Sequence, residues 1–168
     1  AIVATQKTTA DKQYVGNGIP DINLSWTNTF TYKNFDLTLF FKGAFLWDVV
    51  NLHQMYYGLS NAPGNVLKDA YGKNAHIKAE KEASSYFMEK GDYLNLRNLS
   101  LGYTLPLAGD SFFKRVRGNI NATNLFTLTK FSGLDPTQLE VNGLTPGIQS
   151  MDFYPSTRSL TLALQLSF

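Results

Sequence analysis

Residues 159–168 read SLTLALQLSF, with Leu160, Leu162, Leu164, Leu166 and Phe168 on one face and Ser159, Thr161, Ala163, Gln165 and Ser167 on the other. Successive side chains of a strand point to opposite faces, so this is a strand with one wholly apolar face and one small or polar face. The same period of two runs through Ile22 to Tyr32 (INLSWTNTFTY), where Ile22, Leu24, Trp26, Asn28, Phe30 and Tyr32 oppose Asn23, Ser25, Thr27, Thr29 and Thr31. That segment has the length, about 9 to 11 residues, that a tilted strand needs to cross a bilayer.

Working outward from these two stretches, a tight Lys33-Asn34 turn leads into Phe35, Leu37, Leu39 and Phe41, which oppose Asp36, Thr38 and Lys42, so the two segments form a hairpin. Alternation returns over 93–105, where Leu99, Leu101, Tyr103 and Leu105 oppose Asn98, Ser100, Gly102 and Thr104; its first half is less regular. In 115–129, Val116, Ile120, Ala122, Phe126 and Leu128 oppose Arg117, Asn119, Asn121, Thr123 and Thr127. The expected fold class is all-β: an antiparallel transmembrane β-barrel segment with strands at 22–32, 35–43, 93–105, 115–129 and 153–168. Residues 1–21 form an N-terminal, extracellular segment with no signal-peptide pattern, and 44–91 and 130–152 are two long outer loops. The first loop holds the breaker-rich SNAPGN (Ser60 to Asn65) and a charged, helix-prone stretch, KNAHIKAEKE; the second holds Gly133, Pro136, Gly143, Pro146 and Gly147.

Composition supports a membrane setting. Charged residues are 17% of the 168, below the roughly 25% of soluble domains, while aromatics reach 14%, so something other than a charged surface covers the protein. No run of about 18 uncharged apolar residues offers a spanning helix, a test that alternating barrel strands escape. A soluble β-sandwich also alternates, but its strands average about five to six residues and its turns recur every 8 to 12. The aromatics Tyr32, Phe35, Tyr103 and Phe168 fall at the periplasmic ends, and Phe41, Phe126 and Tyr154 toward the outer ends, like two girdles. Five strands do not close a barrel, so the remaining strands are expected from polypeptide beyond this sequence.

Four segments in order carry a resemblance: VGNGIPDINLSWTNTFTYKNFDLTLFFKGAF (Val15 to Phe45), DYLNLRNLSLGYTLP (Asp92 to Pro106), NATNLFTLTKFSGLDP (Asn121 to Pro136) and YPSTRSLTLALQLSF (Tyr154 to Phe168). Together they resemble the C-terminal end of SusC/RagA-type TonB-dependent transporters of the Bacteroidetes outer membrane. The resemblance implies a 22-stranded barrel with an N-terminal plug, a TonB box that engages TonB, and a SusD-like surface lipoprotein as a lid. It implies import of nutrients such as glycans or peptides. Where this chain has Gly16-Asn17-Gly18-Ile19-Pro20, family members often show a Gly-Asn-Pro type of turn. Leu164, Leu166 and Phe168 look like the terminal signal by which the barrel assembly machinery recognises its substrates; alternatively Phe168 only anchors the strand at the inner interface.

Chemistry is sparse. There is no cysteine, so thiol nucleophiles and Cys-ligated zinc are excluded. His53 and His76 lack metal-ligand spacing, and no His lies on a strand to face a Ser as in a barrel lipase, so neither metal, cofactor nor enzymatic activity is expected. Gly16 and Gly18 read as turn glycines rather than a dinucleotide fingerprint, and the Asn-X-Ser/Thr matches at Asn23, Asn98 and Asn121 fall on strands. Net charge is +2 with scattered cations, against a nucleic-acid footprint. Trp47, Tyr56, Tyr57 and Tyr71 are candidates for ligand stacking or lid contact, with packing of the loop on itself as the alternative. Arg97, Arg117, Asn119 and Asn121 are candidate lumen-facing contacts for cargo or plug, or fillers of a hydrated interior. A structural or adhesive barrel that displays its loops is the alternative to an importer.

Overall fold

The computed structural model describes residues 12–62, 64–78, 84–109, 111–139, 143–152 and 154–168. Residues 79–83 of the charged loop stretch and the first eleven of the N-terminal segment lie outside these; residues 73–76 form turns rather than helix.

One antiparallel sheet runs in the order β1 (Ile22–Tyr32), β2 (Phe35–Phe45), β5 (Tyr93–Leu105), β6 (Arg115–Thr129) and β7 (Ser159–Ser167). A second, two-stranded ribbon, β3 (Asp48–Val50) with β4 (Met88–Lys90), and a short helix α1 (Leu52–Tyr57) stand in the first long loop. This is the all-β, up-and-down barrel segment that the alternation predicts. Among the described residues nothing pairs with the free edges of β1 and β7, so the sheet is an open part of a barrel.

The register aligns side chains of one kind across the sheet. Leu162, Ile120, Leu101, Leu37 and Phe30 lie in a single row. Toward the periplasmic end Tyr103, Phe35 and Tyr32 share a row, and Phe35 meets Tyr103 ring to ring at 4.4 Å. Toward the outer end the row is Phe126, Leu96, Phe41 and Trp26, with Trp26 stacked on Phe41 at 5.7 Å. An apolar belt between two aromatic rows is the outer surface of a membrane barrel. The opposite face carries Thr161, Asn121, Ser100, Thr38 and Thr29 in one row, so it faces the lumen.

Three local features depart from simple alternation. At Arg97, β5 carries an extra residue relative to β2, and β6 carries Asn124 and Leu125 opposite that point, with Asn124 at φ 52. The bulge reverses the parity of β5, so Leu94 and Leu96 face outward with Leu99 while Tyr93 and Asn95 turn inward. This is why the first half of the strand reads irregularly. The second strand continues to Phe45, beyond the expected 43, because Ala44 and Phe45 still pair with Asn23 and Ile22. The last strand starts at Ser159, not 153. Before it, the Ser156 amide donates to Asp135 and the Thr157 carbonyl accepts from Asn124 Nδ2, so both are engaged outside the ladder. Tyr154 therefore stands outside any strand. Phe168 follows β7, and its ring stacks on Phe112 of the β5–β6 turn at 6.2 Å.

Leu160, Leu162 and Leu164 are about 70% exposed in the isolated sheet, an apolar stripe that only lipid can cover. Single cysteines placed along β7 are expected to react alternately: positions 160, 162, 164 and 166 with a membrane-soluble thiol reagent, and 161, 163 and 165 with a water-soluble one. Equal labelling of neighbours would mean that the strand is misassigned.

Candidate functional site: the lumen face and the outer cap

Asp36 is the only carboxylate on the five long strands. It lies on β2 in register with Gly102 of β5, while Arg117 of β6 pairs with Thr104. The guanidinium reaches diagonally over β5: Nη1 donates to Asp36 Oδ1 at 2.6 Å and Nη2 to Oδ2 at 2.7 Å, with a further contact from Nη1 to Thr104 Oγ1. This two-pronged geometry suits a planar fork on a carboxylate. Gly102 makes room for it, because a Cβ there would collide with Arg117 Nη2 and lie 2.7 Å from Asp36 Oδ1. Three strands are thereby tied together on their wet side, near the periplasmic end.

Of the other lumen candidates, Asn119 Nδ2 donates to Asn121 Oδ1 at 3.3 Å along the same face. Arg97, at the bulge, donates to Asn124 Oδ1 at 3.1 Å and is not part of that row.

At the outer end the loops build a cap with its own core. Trp47 and Val49, both essentially unexposed, pack with Ala44, Tyr93, Phe131 and Leu139, which joins both loops to the lumen side of β2 and β5. A second cluster holds Met55, Leu59 and Phe87, with Tyr56 packed against it. Asn51 caps α1, accepting from the Gln54 amide, and its side chain also donates to Glu89 and Ser132. Glu89 accepts in turn from the Ser132 amide and hydroxyl, at 2.7 and 2.6 Å, so β4 of the first loop grips the second.

A backbone junction completes the lock. The Asp48 amide donates to the Asn17 carbonyl, the Val50 amide to that of Gly147, and the Gln149 amide to that of Val50. Gly18 and Gly147 meet here so closely that a Cβ on Gly18 would strike the Pro146 carbonyl, and Gly147 has φ 72. The turn glycines of the GNG motif are thus contact glycines. Asp48 feels burial, which raises its pKa, but the hydrogen bonds from Lys90 Nζ and the Asn17 amide outweigh it and hold the carboxyl below its ordinary value.

Among the four loop aromatics, Trp47 is core and Tyr56 half-buried against the second cluster, whereas Tyr57 is 39% and Tyr71 76% exposed. Leu144 of the second loop is fully exposed as well. Among the described residues no group of His, Cys, Asp and Glu could hold a metal ion. Of the residues that hold the cap, Asn51, Glu89, Asp135 and Gly147 carry no motif, and Gly18 is visible only as part of the GNG turn. Asp36 is not among the candidate residues read from the sequence, although being the one acid among the long strands is a signal that could have found it.

A sheet with a lipid-facing apolar belt, a polar lumen side and a folded outer cap defines a segment of a transmembrane β-barrel. No protein-family model matches the chain. It is 30% identical over 179 residues to TonB-dependent receptor P3 of Formosa agariphila, covering 96% of this chain and 18% of that protein. It is 28% identical over 172 residues to TonB-dependent receptor SusC of Bacteroides thetaiotaomicron, covering 94% of this chain and 16% of SusC. Among solved structures it superposes on the RagAB peptide importer in the closed-closed state with a TM-score of 0.76 at 22% identity, and in the open-open state with 0.71 at 22%; each match covers 99% of this chain and 19% of that one. The chain belongs to the SusC/RagA-type TonB-dependent transporters of the outer membrane, as a barrel segment spanning under a fifth of the length of these relatives. Those relatives are receptors and transporters rather than enzymes.

Two outcomes follow from the geometry. Gly102→Ala, Arg117→Ala and Asp36→Ala each break the same diagonal bridge, so any two combined are expected to lower resistance to denaturant little more than one alone. Additive losses would show that the bridge is not a unit. Asp135 accepts from the Thr137 and Ser156 amides at 2.9 Å each; burial raises its pKa, and these bonds lower it further than burial raises it. A depressed folded pKa means that the stabilisation is full above the ordinary value of 3.8 and is lost as pH falls through the lower folded value. Protection of the Ser156 and Thr137 amides against hydrogen exchange, taken relative to the intrinsic rate at each pH, is expected to fall below about pH 4. At neutral pH, Asp135→Ala should lower this protection by the equivalent of about 1 kcal/mol, and Asp135→Asn by less.

Proposed function

We propose that the intact protein imports a nutrient such as a glycan or a peptide across the outer membrane, driven through TonB and an upstream plug, beneath a SusD-like surface lipoprotein. It breaks no bond and uses no cofactor. The observation that carries this reading is the cap. Loops of this length, well beyond the ~12 to 15 residues usual for connections, are here packed around two apolar clusters. Several aromatic and apolar side chains of the loops are left exposed, Tyr57, Tyr71 and Leu144 among them, and such residues are enriched where protein surfaces meet. We place the lid contact on these three rather than on Trp47 and Tyr56, whose rings serve the cap. Arg117, Asn119 and Asn121 line the wall that plug or cargo passes, with Arg117 already engaged by Asp36.

Purifying the intact transporter from its own membrane in mild detergent tests the reading. A lipoprotein is expected to co-purify with the wild type and to be lost from Tyr71→Asp combined with Leu144→Asp, with barrel yield unchanged. A wild-type protein that always purifies alone would remove the basis for the lid.

A further inference from the structure

An open groove of about 680 Å³ lies at the outer ends of β2, β5 and β6, with Phe45, Leu94, Leu128, Lys90, Asp92 and Lys130 among its lining. Leu94 and Leu128 stand in the outward row with Gly43. Phe45 folds back over Gly43, since a Cβ there would come within 2.8 Å of Phe45 Cε2. This apolar floor begins just above the Trp26–Phe41–Leu96–Phe126 girdle, at the depth where acyl chains give way to headgroups. The groove sits on the three central strands, away from both free edges of the sheet.

The charges above the floor are unevenly engaged. Asp48 is held by Lys90 Nζ at 2.7 Å and by the Asn17 amide, and Asp92 Oδ1 accepts from the Leu46 amide at 2.7 Å. Lys90 remains 67% exposed beside its partner, and Lys130 makes no ion pair or side-chain hydrogen bond among the described residues. The groove thus joins a lipid-facing apolar floor to a rim on which Lys130 is unpaired among the described residues and Lys90, though bonded to Asp48, stays largely exposed.

We propose that this groove binds a phosphorylated glycolipid of the outer leaflet, with an acyl chain along Phe45, Leu94 and Leu128 and its phosphate against Lys130 and Lys90. An ammonium group serves as a point charge for phosphate, and apolar surface at this depth is satisfied by acyl chain. The proposal rests on the placement of the 44–91 and 130–152 loops outside the cell.

The test uses the intact transporter in detergent, titrated with lipid A and with its dephosphorylated counterpart, bound lipid being counted by native mass spectrometry. Lys130→Ala is expected to weaken lipid A about fivefold, the loss of one surface cation, and Lys130→Glu to weaken it further. The dephosphorylated lipid is expected to bind more weakly and to be indifferent to both changes. Leu128→Trp, which fills the groove, should displace both lipids. Equal binding of the two lipids, or lipid A binding untouched by Lys130→Glu, would overturn the proposal. Whole cells carrying Lys130→Cys separate its two supports. Labelling by an impermeant maleimide establishes the outer placement, so that a failed titration then counts against the groove alone; absence of labelling overturns the placement and the proposal with it.

Discussion

In hydrocarbon a backbone N–H or C=O has no water to turn to, and each one left unpaired costs several kcal/mol. Most of this structure follows from that constraint. Between the aromatic rows the strands run without a loop, and consecutive strands pair along almost their whole length. Irregular backbone appears near the outer ends, at the Arg97 bulge and before Ser159, where side chains such as Asn124 and Asp135 take over the freed groups. The same constraint makes the bare edges of β1 and β7 untenable in lipid, so the sheet has meaning only as part of a larger ring.

Beyond the membrane the governing physics changes. The long loops have water on offer and no ladder to join, so they hold shape only by burying apolar side chains of their own. Trp47 and Val49 do this against Phe131 and Leu139, and two of the polar side chains absorbed into the cap, Asn51 and Asn74, are fully bonded, whereas the buried Gln149 side-chain amide finds no partner among the described residues. Asn74 donates to the Gly58 carbonyl and accepts from Tyr86, closing a turn that carries no regular structure.

The part of the fold written in alternation was legible, because a period of two maps directly onto the two faces of a strand and lipid makes one of them uniformly apolar. Leu160 to Leu166 and Ile22 to Tyr32 are of this kind. The irregular start of β5 was visible only as a lapse, since an inserted residue reverses parity and the insertion becomes apparent only against the neighbouring strands. Residues just before Ser159 read as strand because nothing local announces that Ser156 is claimed by Asp135, 21 positions away. The site followed the same rule. Polar lumen positions were readable, but the bridge from Arg117 to Asp36 spans 81 positions and depends on Gly102 having no side chain. The cap was opaque for the same reason: Trp47 as an exposed anchor and Trp47 as a core residue look identical until Ala44, Tyr93 and Phe131 are brought around it.

The junction of Asn17, Asp48, Val50 and Gly147 has an implication for how such proteins diversify. Three stretches far apart in the chain share backbone hydrogen bonds, and the Gly18–Gly147 approach admits no side chain on either partner. A chimaera that borrowed only one loop from a relative would therefore inherit half of an interlock, with amides cut to fit a surface that is no longer there. Exchanging this cap therefore requires the N-terminal arm and both loops to move as a single cassette, whereas outward residues such as Tyr71 and Leu144, which the interlock does not use, are free to change singly.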